Sequence, residues 1–583
     1  MHELLLAASG LVVGDLLFFY RSGRSVERWF TRLANRRALA VALTAALALL
    51  PRLFLLPWLP IPDASIPDEF SFILGAQTFA DGRLTNPVHP FWRHFETFHV
   101  NMVPTYQTQY QPAPSLFMAL PLWFGAHYWW GVWLDTGLMA AAICWALQPL
   151  IGPPYALLAG IFVAFKYGVG TQYSDSYWGG SVAALGAALA LGGFVRVIRN
   201  ARLRDVMWLA LGVGVLATSR PFEGFMFALP LAAGLLVYVW RESAWVRVLV
   251  PATAMLILLF GWAAYYNYRG TGNPAEMPYV ANFRQYHFVQ PFFGMALLPA
   301  PHYRYEVLRT FFALWEGVPG LLAQTPSGIL ELERVKLSYY YHQHLAPLVL
   351  LALLGLWAAV RSRGRAWLAW TALFVLLGLL AVVWWPLSSY AAPLLVSYFG
   401  LAFLGLRLLR TARIRGQRVG RYWVRGFAVV LLVIGIASLQ DGARRQLYRF
   451  ARTPGFGING RPEPAIPWYI ERLRVIHQLE KSGGEHLVFV KYAPWHIYHQ
   501  EWVYGGPDID RQRVVLARID DSPDDCRLVN YYPHRKVWFV LADAEPFARL
   551  VPMDSILAPF QCPASPSLRA RNLQAGGPGS GRW

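Results

Sequence analysis

Two adjacent carboxylates, Asp68 and Glu69, stand where a polar stretch begins after a long apolar block. A carboxylate at such a position suits general-base removal of a proton from a hydroxyl group. Partial burial beside a like charge raises the pKa of a carboxyl group toward a useful value. The structural alternative is that Asp68 caps a helix beginning at Glu69. A third acid, Asp175, stands alone in the turn 171–180, and helix capping is its alternative too.

The polar stretch that begins at Asp68 also carries His89, His94 and His99 with Glu96, followed by Tyr106. Histidines with a carboxylate raise the question of a metal, but prolines around His89 disfavour a regular helix that would align them. Loop histidines more commonly make hydrogen bonds. The identity of any metal therefore stays unknown at this stage.

Long apolar blocks must position these residues. The chain has 583 residues, of which 56% are hydrophobic and 15% charged. A helix needs about 20 apolar residues to cross a bilayer. This composition predicts an all-α polytopic membrane bundle of about twelve transmembrane helices. The apolar blocks are 4–20, 38–58, 129–147, 155–170, 183–195, 209–217, 225–240, 246–264, 346–360, 366–385, 393–409 and 427–439.

The basic residues indicate the orientation of the bundle. The formal charge is +19, yet the arginines cluster in short loops between apolar blocks, as the positive-inside rule expects. This pattern argues against a nucleic-acid partner. Alternating the helices from the cytoplasmic loop 21–37 puts every basic loop on one side. The connections 60–127 and 269–344 then lie outside, and so does everything after residue 440.

The C-terminal part has a different composition. Residues 441–562 alternate strand-like runs with helical segments, which predicts a small extracytoplasmic α/β domain after the membrane domain 1–440. Residues 563–583 are predicted to be disordered. Cys144 sits in an apolar block and is expected to pack there. Whether Cys526 and Cys562 form a disulfide is left open by the sequence.

Several short motifs follow one another between residues 38 and 410. They are the segments 67–69, 81–87 and 111–114, the acid Asp175, the turn 218–221 and the loop 389–393. Their order resembles the GT-C superfamily of membrane glycosyltransferases. Within it, the branch of aminoarabinose transferases and protein O-mannosyltransferases is the most similar. The chain departs from the pattern at Ala113, which interrupts the usual pair of adjacent prolines.

The resemblance implies an inverting transfer of a sugar from a polyprenyl-phosphate donor to an acceptor hydroxyl on a lipid, polysaccharide or protein. Asp68 would be the base, with Glu69 and Asp175 positioning the acceptor or the base. It leaves a divalent cation open, since some members use one, and it implies a bacterial inner membrane with the site on the extracytoplasmic face. The expected substrate-binding residues are Arg52, His89, Glu96, His99, Tyr106, Arg220, Arg269 and Tyr390.

Two basic residues, Arg52 and Lys166, lie within predicted spans. A leaving phosphate needs a nearby cation, for which Arg52, Arg220 and Arg269 are candidates, although Arg52 could instead reach the interface by snorkelling. Lys166 lies inside a span and could pair with an acid. Aromatic stretches at 283–293 and 339–344 could line a sugar site or serve as interfacial anchors.

Two rival functions differ in what the acids do. A transporter or flippase of lipid-linked saccharides should carry its polar groups near mid-membrane, at broken helices. The acids of this chain instead lie in predicted outer loops, which favours an enzyme. A non-catalytic partner in envelope-glycan assembly would tolerate the loss of Asp68.

Overall fold

A computed structural model describes residues 2–19, 23–450 and 467–553 of the protein. The predicted tail 563–583 and Cys562 lie outside the described residues. Within them the chain is mostly helical. The helices of the N-terminal half are α1 His2–Phe19, α2 Arg24–Asn35, α3 Arg37–Phe54, α4 Pro67–Ala80, α5 Pro112–Leu122, α6 Trp129–Ile151, α7 Pro153–Tyr167, α8 Gly180–Asn200, α9 Leu203–Ala217, α10 Pro221–Arg241 and α11 Trp245–Thr271.

The remaining helices divide into a second connection, the last spans and the C-terminal domain. They are α12 Pro278–Tyr286, α13 Glu306–Arg309, α14 Gly317–Leu322, α15 Pro326–Tyr340, α16 Val349–Val360, α17 Ala366–Ala381, α18 Leu395–Leu409, α19 Gly420–Phe450, α20 Trp468–Ser482 and α21 Pro523–Tyr531.

The helices confirm a polytopic membrane bundle. Seven are long and apolar enough to cross a membrane, or eight if the bent pair formed by α15 with its extension and α16 counts as one span. This count covers only the long apolar helices of the described residues and leaves out the shorter ones. Examples are α7, α9 and α17, with 15, 15 and 16 residues.

Small residues let the helices of the bundle approach closely. A Cβ added at Gly212 of α9 would come within 2.3 Å of the Ala190 nitrogen of α8. Close backbone approach of this kind is the usual basis of helix packing in membranes. The largest apolar core is built mainly by α6, α7, α8 and α18.

The predicted outer connections meet at one end of the bundle. The Ala113 amide donates to the Thr218 carbonyl over 2.9 Å, and Arg220 reaches Ser389. At the other end, Arg407 donates to the Ile151 carbonyl and Gln148 to the Arg37 carbonyl. The basic loops therefore share an end, as their charge pattern predicts.

The first long connection folds over α4. A 3-10 turn, Trp92–Phe95, precedes two short antiparallel strands, β1 Val100–Asn101 and β2 Gln107–Thr108. Ser71 of α4 donates to the His99 carbonyl over 2.6 Å and lies 2.7 Å from the Thr108 hydroxyl. These bonds fix the connection against the start of α4.

The C-terminal α/β domain is confirmed. Strands β3 His486–Lys491, β4 Val514–Arg518 and β5 Lys536–Leu541 are parallel, and β6 Arg549–Pro552 is antiparallel, in the order β4-β3-β5-β6. One face of this sheet shares an apolar core with the first long connection. That core includes Leu487, Phe489 and Val515 of the sheet with Leu74, Phe95, Val100, Met102 and Tyr106.

The three cysteines divide between the two domains. Cys144 is free and buried in α6, as expected. Cys526 in α21 is disulfide-bonded.

Candidate active site

Asp68 lies near the start of α4 with a partly accessible carboxylate. Its side chain is 21% exposed. One oxygen accepts a short hydrogen bond from the Tyr110 hydroxyl, and the other lies 3.6 Å from His99 Nε2. The N-cap of α4 is Ile66, and no described side chain caps this helix. The capping alternative therefore does not explain Asp68.

His99 is held so that one ring nitrogen faces Asp68. Its Nδ1 lies 2.9 Å from Gln109 Nε2, and the amide donates there, which assigns the ring proton to Nε2. The backbone of His99 has φ of 59°, a left-handed conformation that is uncommon for a residue other than glycine. Burial lowers the pKa of His99, while the charge of Asp68 opposes that effect. His99 Nε2 faces the Asp68 carboxylate at 3.6 Å, which is longer than a hydrogen bond.

Tyr110 is fixed from a second side. Its ring stacks on Phe72 of α4 with centroids 4.1 Å apart. Burial raises the pKa of Tyr110 well above its ordinary value, and the charge of Asp68 adds to this. Tyr110 therefore stays protonated and donates to Asp68.

Glu69 has different surroundings from its neighbour. Its side chain is almost wholly buried. One oxygen accepts from the Ser65 amide over 2.8 Å, and the other accepts from the Tyr177 amide over 3.2 Å. Glu69 thus joins the first long connection to the turn 171–180.

Asp175 is buried in an ion pair. Arg52 Nε donates to Asp175 Oδ1 over 2.6 Å, and both side chains are fully buried. The other carboxylate oxygen accepts from the Gly170 amide and the Ser174 hydroxyl. The turn containing Asp175 contacts the Asp68–Glu69 segment through Glu69, but Asp175 itself is withdrawn into the protein.

All three nitrogens of Arg52 are engaged. Besides Asp175, the guanidinium donates to the Leu59 and Pro60 carbonyls over 2.8 and 2.9 Å. It also lies 4.8 Å from the ring centroid of Trp129. Arg52 neither snorkels nor faces an open site; it fixes the end of α3.

Arg220 is a predicted cation whose charge acts on the same residue, Tyr390, as the charge of Asp68. It donates to Ser389 Oγ over 2.5 Å, and its guanidinium lies 4.7 Å from the ring centroid of Tyr390. Within the described residues Arg220 has no carboxylate within 4.0 Å. Burial raises the pKa of Tyr390; Arg220 opposes this, and Asp68 reinforces it. The charges of Arg220 and Asp68 therefore both act on Tyr390.

Three further titratable groups lie near Asp68 that sequence reasoning missed. Glu316 has a buried carboxyl whose pKa is raised well above its ordinary value by burial and by the charge of Asp68. His287 Nδ1 lies 3.3 Å from Glu316 Oε2, and burial lowers the pKa of His287 to about 3. Burial therefore favours the uncharged form of both Glu316 and His287.

The third missed residue, His499, comes from the C-terminal domain. Burial lowers its pKa to about 4, with the Asp68 charge opposing. Its ring packs edge-on against Trp315 and Phe311, with centroids 5.1 and 5.6 Å apart. His499 follows β3 in a segment without a recognisable motif. Only the aromatic stretch around His287 gave a sequence signal, since it was predicted to line a site or anchor the interface.

Several predicted substrate-binding residues instead hold the C-terminal domain. His89 Nε2 lies 3.1 Å from Asp510 and 3.0 Å from the Tyr532 hydroxyl. Tyr106 donates to the Gly505 carbonyl over 3.2 Å. These contacts dock the sheet onto the first long connection.

Glu96 also lies at this junction. Its carboxylate accepts from the Tyr286 hydroxyl over 2.6 Å, while its carbonyl accepts from Arg518 Nε over 2.5 Å. Burial raises the pKa of Glu96, and the Tyr286 hydrogen bond opposes that effect.

The two remaining cations lie elsewhere. Arg269 is exposed at the end of α11 and donates to the Tyr265 hydroxyl over 3.2 Å. Lys166 donates to the His344 and Ala346 carbonyls over 2.9 and 3.1 Å. Neither contact places its cation beside Asp68.

In the described part of the chain, no group of three His, Cys, Asp or Glu side chains has the arrangement of a metal site. Of the three loop histidines, His89 and His94 face carboxylates of the C-terminal domain, Asp510 and Asp525. His99 alone faces Asp68. What the arrangement offers chemically is one accessible carboxylate that accepts from Tyr110 and faces His99 at 3.6 Å. A guanidinium, that of Arg220, acts on the same tyrosine, Tyr390, as the Asp68 charge.

Comparisons with solved structures return matches of low sequence identity. The structure of the Archaeoglobus fulgidus oligosaccharyltransferase tethered with an acceptor peptide is 12% identical, with 88% of this chain and 69% of that chain covered and a TM-score of 0.48. The same enzyme in complex with Zn and sulfate is 11% identical, with 86% and 68% covered and a TM-score of 0.44.

A third match is ArnT from Cupriavidus metallidurans in the apo state, which is 14% identical. The match covers 86% of this chain and 92% of the ArnT chain, with a TM-score of 0.45. Because these TM-scores lie below 0.5, the likeness does not by itself assign an activity. No family model and no curated protein matches the sequence.

Proposed function

We propose that this protein is a GT-C-type membrane glycosyltransferase that moves a sugar from a polyprenyl-phosphate donor to an acceptor hydroxyl. The observation that carries the proposal is the Asp68 carboxylate at the end of a membrane bundle. It is 21% exposed, accepts a hydrogen bond from Tyr110 and faces His99 at 3.6 Å. A carboxylate that is fixed yet reachable meets the geometric requirement for a general base.

The proposed step is a single displacement. The acceptor oxygen forms a bond to the anomeric carbon while its proton passes to Asp68. The bond from that carbon to the lipid phosphate oxygen breaks, and its electron pair leaves with the phosphate. Attack opposite to the leaving group inverts the anomeric configuration.

Tyr110 and His99 have positioning roles in this step. Tyr110 donates to one oxygen of Asp68, and His99 Nε2 lies 3.6 Å from the other, so the two side chains confine the carboxylate from both sides. A fixed base avoids the cost of orienting it at the moment of reaction.

Arg220 is the proposed partner of the leaving phosphate. It lies on the same bundle end as Asp68 and, among the described residues, has no carboxylate within 4.0 Å. Glu223 of α10 interacts with it electrostatically from farther away. A fixed cation stabilises charge that develops on the leaving group. Arg52 and Asp175 support the site by holding the turn 171–180, and Arg269 has no assigned role.

The proposed location is a bacterial inner membrane with the site on the extracytoplasmic face. Two observations support this orientation. The basic loops share the opposite end of the bundle, which the positive-inside rule assigns to the cytoplasm. Cys526 in the C-terminal domain is disulfide-bonded, which suits an oxidising compartment.

The test is glycan analysis in cells. A deletion strain would be complemented with the wild type, with Asp68→Asn or with Asp81→Asn, and its lipid and surface-polysaccharide extracts compared by mass spectrometry. Asp81 is a matched control because it lies in the same connection, 52% exposed and paired with Arg83. We expect one glycan species to vanish with the deletion and with Asp68→Asn, and to persist with Asp81→Asn. Full retention in Asp68→Asn cells would remove Asp68 as the base and favour a transporter or assembly role.

A further inference from the structure

A cavity of about 660 Å³ opens at the end of α2 and the last two helices of the bundle. The 18-residue helix α3 connects α2 to the segment that carries Asp68. The length of α3 therefore separates this cavity from the candidate active site. The cavity walls carry five arginines, together with Glu27 and Thr31. They are Arg24, Arg28 and Arg32 on α2, Arg410 at the end of α18, and Arg425 on α19.

Glu27 preorganises two of these arginines. Its carboxylate pairs with Arg410 and with Arg425, each at 2.5 Å. Burial alone would raise the pKa of Glu27, but the hydrogen bonds from Arg425 and Arg410 outweigh it and hold the pKa below its ordinary value. Glu27 is therefore an anion that ties α2 to the ends of α18 and α19.

One carboxylate does not balance five guanidinium groups. Arg28 and Arg32 have no ion pair with any described carboxylate within 4.0 Å. Since Arg24, Arg28 and Arg32 recur every fourth residue, they share one face of α2. The cavity is thus a concave cluster of cations that faces the water at the membrane surface.

The residues on the other faces of α2 show what surrounds this helix. Ala34 packs in a core with Leu157 of α7, together with Phe30 and Leu33. Val26 and Trp29 are instead 69% and 61% exposed. A helix with one arginine face beside an exposed Trp is typical of one lying in the bilayer interface.

Orienting the chain in the membrane requires arginines at this end of the bundle, but it does not require them to surround a cavity. Arg361 and Arg363, in another loop of the same end, are exposed and line no part of this cavity. Arginine guanidinium groups bind phosphate oxygens in a geometry that an ammonium group does not match. Acyl chains beside such a phosphate would lie along Val26 and Trp29.

We propose that this cavity binds the phosphate of an anionic phospholipid headgroup from the adjacent leaflet. The shared chemistry is a phosphate with net negative charge, which a free phosphate ion would also supply. The exposed apolar side chains Val26 and Trp29, on other faces of the same helix, favour the lipid. The site is independent of the proposed glycosyl transfer, so it can be tested without any sugar donor.

The test is native mass spectrometry of the purified full-length protein. The protein would be exchanged into detergent carrying phosphatidylglycerol, phosphatidylcholine or inorganic phosphate alone. We expect phosphatidylglycerol to stay bound and phosphatidylcholine to be lost. Arg28→Gln combined with Arg32→Gln should weaken phosphatidylglycerol binding by roughly tenfold or more, because each arginine contributes to anionic-lipid attraction.

Two further variants keep the result interpretable. Arg361→Gln with Arg363→Gln removes the same charge from the neighbouring loop and should leave lipid binding unchanged. Trp29→Ala should reduce lipid retention while keeping all five arginines. Circular dichroism in lipid-free detergent checks that every variant remains folded.

The outcomes separate the two sources of phosphate. Displacement of the lipid by millimolar inorganic phosphate would show a site for the free anion and overturn the proposal. Equal binding of phosphatidylglycerol by the wild type and by the Arg28/Arg32 variant would overturn it as well. Loss of lipid in the Arg361/Arg363 variant would mean that total charge decides, and would also contradict a built site.

Discussion

Arg52 and Asp175 form an ion pair 2.6 Å long that is wholly out of contact with solvent. It joins the end of α3 to the turn between α7 and α8. A buried charge that loses its partner costs about 3–5 kcal/mol. The pair therefore holds two connections of the site end in register.

The first prediction concerns the stability of this pair. Arg52→Met should lower the free energy of unfolding by about 3–5 kcal/mol, because Asp175 would be left buried with its charge uncompensated. Asp175→Leu added to Arg52→Met should cost less than the sum of the two single changes. Denaturant unfolding of the solubilised protein measures all three.

A matched exposed pair is the control. Arg83→Met breaks the surface pair with Asp81 and should change the unfolding free energy by less than about 1 kcal/mol. A loss as small as this for Arg52→Met would contradict the structural role assigned to Arg52.

The second prediction separates two neighbouring acids. Glu69→Gln should destabilise the protein by about 1–3 kcal/mol, because an amide group would face either the Ser65 or the Tyr177 amide, both donors. Asp68→Asn should leave the unfolding free energy nearly unchanged and abolish glycan formation. Unfolding curves and glycan analysis on the same two variants test the division. If the two acids exchanged these effects, the base would be Glu69.

The third prediction concerns Arg220, the proposed partner of the leaving phosphate. Arg220→Gln should slow transfer by about 100-fold or more, the usual cost of losing a group that stabilises transition-state charge. Tyr390→Phe keeps the ring under the guanidinium and should slow transfer only a few-fold. Initial rates in membranes from the complemented strains, with the donor identified by glycan analysis, measure both. Equal rates for Arg220→Gln and wild type would leave the phosphate without its proposed partner.

Much of the architecture could be predicted because it follows from the length of the apolar blocks and from the placement of charged residues along the chain. Apolar length predicted the spans, arginine placement predicted which connections share an end, and strand-like runs predicted the C-terminal sheet. The number of spans stays a prediction, because an apolar block such as 155–170 reports hydrophobicity and does not reveal that its helix α7 has only 15 residues.

The site was only partly predictable. Local motifs drew attention to Asp68, His99 and Arg220, which lie at one bundle end. They could not tell that Arg52 and Asp175 neutralise each other, since 123 residues separate the two along the chain. Nor could they place His499, because no sequence pattern reports how the C-terminal domain docks onto the first long connection.

The last prediction concerns pH. Burial lowers the pKa of His287 to about 3 and that of His499 to about 4, whereas an unfolded histidine titrates near 6.5. The unfolded chain therefore binds more protons than the folded protein between these values. The stability that these two histidines contribute should be fully present above about pH 6.5 and fall as the pH drops toward 4, by up to about 1.4 kcal/mol per pH unit for each histidine. Glu316, whose pKa burial raises, acts in the opposite sense, because its folded carboxyl takes up a proton at a higher pH than the unfolded one.

His287→Gln should flatten this dependence between pH 6.5 and 4.5, because it removes one group that must be uncharged in the folded state. His302→Gln is the control, since His302 is exposed and its replacement should leave the slope unchanged. Unfolding midpoints of the solubilised protein across this pH range give the slopes. A His287→Gln slope equal to that of the wild type would mean that the acid sensitivity arises elsewhere, since the burial of this imidazole is what should make protonation and folding compete.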